Sequence, residues 1–117
     1  KRADLVKNAT IYREGIAIAT GDEDTTYNPI TLAQAADTLL TMSGVKASFV
    51  VALRKDGQVG VSARSLGEIN VQVIMERMNG GGHLTNAATQ LEDTTMEQVV
   101  DQLRDIIEEY FEGGDES

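Results

Sequence analysis

The one histidine of this chain, His83, follows three glycines in the run Gly80-Gly81-Gly82-His83-Leu84-Thr85-Asn86-Ala87-Ala88. Glycine admits positive φ and puts no side chain in the way, so such a run can bring successive N–H groups to one concave spot that holds an anion. His83 would add a donor for a phosphate oxygen. The run closes a helical pattern, and the C-terminal end of a helix repels anions, so attraction has to come from elsewhere. Arg64 is the candidate. Its guanidinium can grip phosphate through two parallel hydrogen bonds, and Ser62 and Ser65 beside it offer hydroxyls. Asn70 at a helix start, with Thr85 and Asn86 beyond the histidine, are weaker polar candidates. Each feature also has an ordinary structural reading: a glycine run stops helices, and a single arginine ends many strands in solvent. The joint occurrence of Ser62-Ala63-Arg64-Ser65, Asn70 and the glycine-histidine loop is what points to a phosphate site.

Other chemistry is excluded by composition. With no cysteine, disulfides and thiolate-bound metal centres are ruled out, and one histidine rules out a multi-histidine metal centre. A formal charge of −9 opposes long nucleic acid, whose binding depends on many Lys and Arg contacts to phosphates. The charge is unevenly spread. After Leu91 the acidic residues run against a single Arg104, whereas Lys46, Arg54, Lys55, Arg64 and Arg77 outnumber Asp56, Glu68 and Glu76 between Val45 and His83. A small anion can be accepted locally by a chain that repels polyanions overall. Asp22, Glu23 and Asp24 lack the spacing of a calcium loop and read as a solvated turn. No stretch approaches the roughly 18 consecutive apolar residues of a membrane-spanning helix.

These residues need a scaffold. At 117 residues, 41% of them hydrophobic, the chain is expected to build one layered core. Residues 1–13 read as a linker or the trailing helix of something upstream, residues 14–113 as the domain, and 114–117 as a frayed tail. Ile16 to Thr20 is a short strand candidate. Thr31 and Gln34 suggest a capping box opening a helix through Leu39 and Leu40, stopped by Gly44. Ala47–Leu53 and Gln58–Ala63 flank an Asp56-Gly57 turn and predict an antiparallel hairpin. Val71, Ile74, Met75 and Met78 mark a second helix that ends at the glycines. Thr95 and Gln98 repeat the capping box ahead of a long amphipathic helix carrying Val99, Leu103, Ile106, Ile107 and Tyr110, and closed by Gly113. The four methionines fall on or near such apolar stripes and read as core fillers. The expected fold class is therefore α/β: a small mixed sheet with a hairpin, covered by about three helices.

The segment Val61 to Gln90, VSARSLGEINVQVIMERMNGGGHLTNAATQ, resembles the DHH-associated (DHHA type 1) domain of the DHH phosphoesterase superfamily, above all that of bacterial membrane-anchored cyclic-di-AMP phosphodiesterases. The likeness covers residues 30 to 112. Where the wider family follows its Gly-Gly-Gly-His with two residues and Ala-Ala-Gly, this chain has Asn86, Ala87 and Ala88. The resemblance implies the substrate-binding part of an enzyme that opens cyclic-di-AMP to 5′-pApA. Arg64 and His83 would contact phosphate, Gly80, Gly81 and Gly82 would shape the pocket floor, and Ser62, Ser65, Asn70, Thr85 and Asn86 would assist. It implies an upstream DHH domain in the same polypeptide carrying a pair of Mn²⁺ ions, with no cofactor in this chain, which has no Asp-His-His triplet and would be inactive alone. It also implies a membrane-anchored parent with this soluble portion on the cytoplasmic side.

The implied partners are a cyclic dinucleotide or pApA, the DHH domain, and a second copy in a homodimer, with no long nucleic acid. An alternative is a module gripping single-stranded RNA or short oligonucleotides for a DHH-family nuclease or a synthetase. That reading calls for a basic channel with stacking aromatics, and only Tyr12, Tyr27, Phe49, Tyr110 and Phe111 are aromatic. A third is a structural or dimerising domain whose glycine loop is inert.

Overall fold

The computed structural model describes residues 2–114. It has the elements α1 (Arg2–Lys7), β1 (Thr10–Arg13), β2 (Ile16–Thr20), α2 (Pro29–Leu40), β3 (Ala47–Leu53), β4 (Val59–Ser65), α3 (Val71–Glu76), β5 (Gly81–Gly82), β6 (Asn86–Leu91) and α4 (Met96–Gly114). The strands form one mixed sheet in the order β1-β2-β3-β4-β6-β5, in which only β2 and β3 run parallel, joined by α2 as their crossover. The expected α/β class with a mixed sheet holds, with four helices rather than three.

Alternation along the strands decides what each face meets. Ala47, Phe49 and Val51 of β3 and Val59, Val61 and Ala63 of β4 join Val71, Ile74, Met75 and Met78 with the apolar stripe of α4 in one core. Val50 and Ala52 of β3 face the other way and pack with Leu32, Ala35, Ala36 and Leu39 of α2. Ser48 shares that second face, where its buried hydroxyl donates to the Ala36 carbonyl at 2.7 Å. A buried hydroxyl without a partner would be destabilising, so this bond sets how α2 lies on the sheet.

Helix starts follow side-chain capping. The box at Thr95 and Gln98 forms as expected: the Gln98 amide donates to the Thr95 hydroxyl at 3.1 Å and the Thr95 amide to Gln98 Oε1 at 3.3 Å. The box at Thr31 does not form. Helix α2 starts earlier, with Asn28 as N-cap accepting from the Thr31 amide at 2.8 Å and Pro29 in the first turn, a position whose missing N–H costs nothing. In the β3–β4 connection the Gly57 amide donates to the Arg54 carbonyl at 3.0 Å and Gly57 takes φ +87°, the three-residue hairpin loop in which glycine fills the left-handed position.

The stretch expected as a linker or trailing helix is divided. Residues 2–7 do form a helix, and its Leu5 is fully buried in the α2 core. Thr10–Arg13 is the edge strand of the sheet, paired with β2, so the folded unit begins ahead of residue 14. Helix α4 reaches Gly114, one residue beyond the expected stop, and the rest of the supposed tail lies outside the described residues.

Candidate functional site

Helix α2 packs on β3 and β4 and helix α1 on β2, while β6 and β5 have no such cover, so this side of the sheet is left half open. The β4–β6 register pairs Gly60 with Gln90, Ser62 with Ala88 and Arg64 with Asn86. Paired residues of an antiparallel ladder project to the same face, and here it is the α2 face. The floor is therefore small in the middle, at Ser62 and Ala88, with Arg64 at one end. Pro29, Leu32 and Ala33 of α2 wall one side, and Gly81, Gly82 and His83 close the other. The cleft has a volume of about 390 Å³, inside the roughly 300–1,000 Å³ range of small-molecule sites.

The structure brings Arg64, Ser62, Gly81, Gly82, His83 and Asn86 to this one cleft. His83 is exposed at its rim. Arg64 is anchored rather than free. Its Nε donates to Asp37 Oδ1 at 2.9 Å, and its Nη1 donates to the Ala63 carbonyl at 2.9 Å and reaches the Ser62 hydroxyl at 3.5 Å. Those contacts hold the guanidinium plane and leave Nη2 without a bond among the described residues.

Four expected site residues do not line the cleft. Ser65 is on the opposite face from Ser62 and Arg64, as an odd position of β4 must be; its hydroxyl donates to the Leu84 carbonyl at 3.3 Å and accepts from the Gly67 amide at 3.2 Å. Asn70 is occupied as the N-cap of α3, its Oδ1 accepting from the amides of Gln72 and Val73 at 3.0 and 3.3 Å. Thr85 takes part through its backbone, its carbonyl accepting from the Ser65 amide at 2.9 Å. Gly80 is beneath the loop rather than in its mouth.

The glycines work differently from the expected nest of convergent amides. Gly81 and Gly82 form the short strand β5 against β6; the Gly80 amide donates to Met75 at 2.8 Å and that of His83 to Asn86 at 2.6 Å. Two of the amides are thus spent inside the fold. Close packing is what demands glycine. A Cβ on Gly80 would lie 2.3 Å from the Ala88 carbonyl oxygen, and one on Gly82, which also has φ +147°, 2.4 Å from the Ala87 Cα. At Gly81 a Cβ would meet nothing within 4 Å. It would project toward the cleft that Gly81 lines.

Arg54 and Gln90 are polar lining residues that escaped the sequence reading. Arg54 lies at the end of the cleft away from Arg64, its Nη2 paired with Asp56 Oδ2 at 3.0 Å and its Nη1 3.4 Å from Gln90 Oε1. Asp37, the anchor of Arg64, is the third residue that shapes the electrostatics. Counting alternate residues from Arg64 through Ser62 to Gly60 would have led toward Arg54 and Gln90, because the hairpin folds the first over Gly60 and the ladder pairs the second with it. Among the described residues no three His, Cys, Asp or Glu side chains are grouped so as to hold a metal ion, and no helix is long and apolar enough to cross a membrane.

The sequence profile of the DHHA1 domain matches residues 13–113. The chain belongs to the DHHA1 domain family. This DHHA1 domain is 61% identical over 114 residues to the cyclic-di-AMP phosphodiesterase GdpP of Geobacillus thermodenitrificans, the match covering 97% of the chain and 17% of that protein. It is 56% identical over 113 residues to the cyclic-di-AMP phosphodiesterase PdeA of Listeria monocytogenes, again with 97% and 17% covered. The domain therefore spans about a sixth of the length of these relatives. Among solved structures an exopolyphosphatase-related protein from Bacteroides fragilis shares its fold, with a TM-score of 0.80 at 19% identity over 93% of this chain and 33% of that one.

Proposed function

We propose that this DHHA1 domain is the substrate-gripping part of a cyclic-di-AMP phosphodiesterase, holding nucleotide phosphate in the cleft between α2 and β5. The observation that supports the reading most is that Arg64 and His83, far apart in sequence, line one small-floored cleft. Arg64 has its free Nη2 edge to offer a phosphate oxygen, in a plane set by Asp37 and Ala63. Preset geometry lowers the ordering cost of the bond. His83 donates from the rim, and Gly81 leaves the space that a ribose or phosphate needs. Identities above one half to phosphodiesterases named for cyclic-di-AMP support this choice of substrate class.

In this reading the metal that activates water belongs to a DHH domain elsewhere in the same polypeptide, whose manganese ions polarise the scissile phosphodiester when bound. This chain binds and orients; it does not cleave. The parent protein is membrane-anchored with this domain on the cytoplasmic side.

The test is a titration of the 117-residue chain with cyclic-di-AMP, followed by NMR. Shifts should concentrate at Arg64, Ser62, Gly81 and His83, and His83→Ala and Arg64→Ala should each weaken binding about tenfold or more while the spectrum stays folded. Binding that neither variant alters overturns the site.

A further inference from the structure

Both arginines that line the cleft are already paired with a carboxylate. Arg64 Nε donates to Asp37 Oδ1 at 2.9 Å and Arg54 Nη2 to Asp56 Oδ2 at 3.0 Å, one pair at each end. Among the lining residues, the one other group able to carry a charge is His83, exposed at the rim. Asp37 belongs to the last turn of α2, one turn beyond Ala33 of the cleft wall, and that turn holds no basic residue. The C-terminal end of a helix is its negative end, so the dipole adds to the carboxylate instead of offsetting it. In the glycine loop the Gly80 and His83 amides are spent on Met75 and Asn86. The phosphate end therefore offers hydrogen-bond donors with one cation set against one carboxylate. A site built for a doubly charged phosphate gathers unpaired cations or a helix N-terminus.

We infer that Asp37 is a specificity-determining residue which, by neutralising Arg64, makes this end of the cleft keep an internal phosphodiester and release a terminal phosphate. A phosphodiester carries one negative charge. A terminal phosphate carries close to two at neutral pH, because its second proton leaves near a pKa of about 6. Opening a cyclic dinucleotide adds water across one P–O3′ bond, the hydroxyl going to phosphorus and the proton to the freed 3′ oxygen, so the linear product gains one ionisable group. The first charge is met by the free Nη2 edge of Arg64. The second finds no further cation among the paired arginines and faces Asp37 across the guanidinium. The Asp37 side chain is 61% exposed, so solvent screens that repulsion, and the remaining penalty is about threefold to tenfold in affinity. Cleavage of one bond thereby loosens the hold of the residue that oriented the substrate.

Because this rests on the phosphate-binding reading of the cleft, the ligands are chosen to tell failure of the one from failure of the other. Cyclic-di-AMP, pApA, and pApA methylated on its terminal phosphate to leave a single charge there are titrated into the 117-residue chain and into Asp37→Asn. The titrations are run at about pH 8, above the second pKa of a phosphomonoester, with NMR following both the fold and the shifts at Arg64 and His83. Asparagine keeps an oxygen for Arg64 Nε and removes the charge. The unaltered chain should bind the methyl ester about threefold to tenfold more tightly than pApA, and Asp37→Asn should close that gap. An Asp37 that merely positioned Arg64 would change both linear ligands by the same factor. Suppose cyclic-di-AMP shifts Arg64 and His83, but pApA and its ester bind the unaltered chain equally, or their gap survives in Asp37→Asn: the role given to Asp37 is then overturned and the phosphate site stands. Cyclic-di-AMP that leaves Arg64 and His83 unshifted in the unaltered chain overturns the proposed function and the role of Asp37 together.

Discussion

Three neighbouring glycines with the same side chain, or lack of one, carry three different constraints. Gly80 and Gly82 are pressed against the backbone of β6, so a methyl group there has to displace main chain, whereas Gly81 faces open space. Overpacking of this kind typically costs about 1–3 kcal/mol. Gly80→Ala and Gly82→Ala should each lower the urea midpoint by an amount in that range or above it. Gly81→Ala should leave the midpoint unchanged and weaken cyclic-di-AMP binding, because the new methyl narrows the cleft. Equal midpoints for all three variants would show that β5 does not hold its place against β6. The sequence could show that glycine was wanted at this loop but not why. The reason is a pairing between Gly81–Gly82 and Ala87–Ala88, and local reading assigned all three residues the same role. Ser62 and Ser65 differ in another respect. Their opposite faces follow from strand alternation alone and were legible as soon as β4 was recognised.

At the scale of elements, local chemistry was readable where both partners were close in sequence. The Thr95–Gln98 box, the Asp56-Gly57 hairpin and the apolar stripe of α4 are of that kind. Helix α2 was placed but its start was not, because Asn28 with Pro29 outcompetes a second plausible cap at Thr31. The attachment of α4 to β1 was invisible, since its partners are 96 positions apart: the Tyr12 hydroxyl donates to Glu108 Oε2 at 2.6 Å. Arg13 pairs with the other oxygen of that carboxylate at 3.1 Å and lies over the Phe111 ring at 4.2 Å. Burial first, and then the hydrogen bond and charge of Glu108, push the Tyr12 phenol above its ordinary value of 10.0. A phenol whose folded pKa is raised adds stability that is present below pH 10.0 and is lost as pH rises past it, because the folded state holds the proton more tightly. Ultraviolet titration should place the Tyr12 midpoint above 10.0, and Glu108→Gln should bring it down; an unmoved midpoint would mean that the carboxylate does not hold the strand.

The whole molecule is a sheet fully covered on one face and half covered on the other, and the cleft is the uncovered half. Its wall is the inner side of α2, so whatever steadies α2 also steadies the site. Helix α1 does this from outside, through Leu5, which is fully buried among Leu32, Ala35, Ala36 and Leu39. Composition alone made residues 1–13 look dispensable, because they are polar with scattered apolar positions and one leucine carries the contact. Burial of that leucine is a tertiary fact with no periodic trace in so short a helix. Leu5→Ala should therefore cost about 2–5 kcal/mol in urea unfolding, the usual range for a buried leucine reduced to a methyl group. Because Leu32 and Ala33 form the cleft wall, the same variant should also weaken cyclic-di-AMP binding under conditions where it remains folded. Removing residues 1–13 should do more, taking away Leu5 and the edge strand together and exposing β2, so that the cooperative transition is lost or its midpoint falls well below that of Leu5→Ala. A truncated chain that unfolds with the original midpoint and binds with the original affinity would restore the first thirteen residues to the role of a connector.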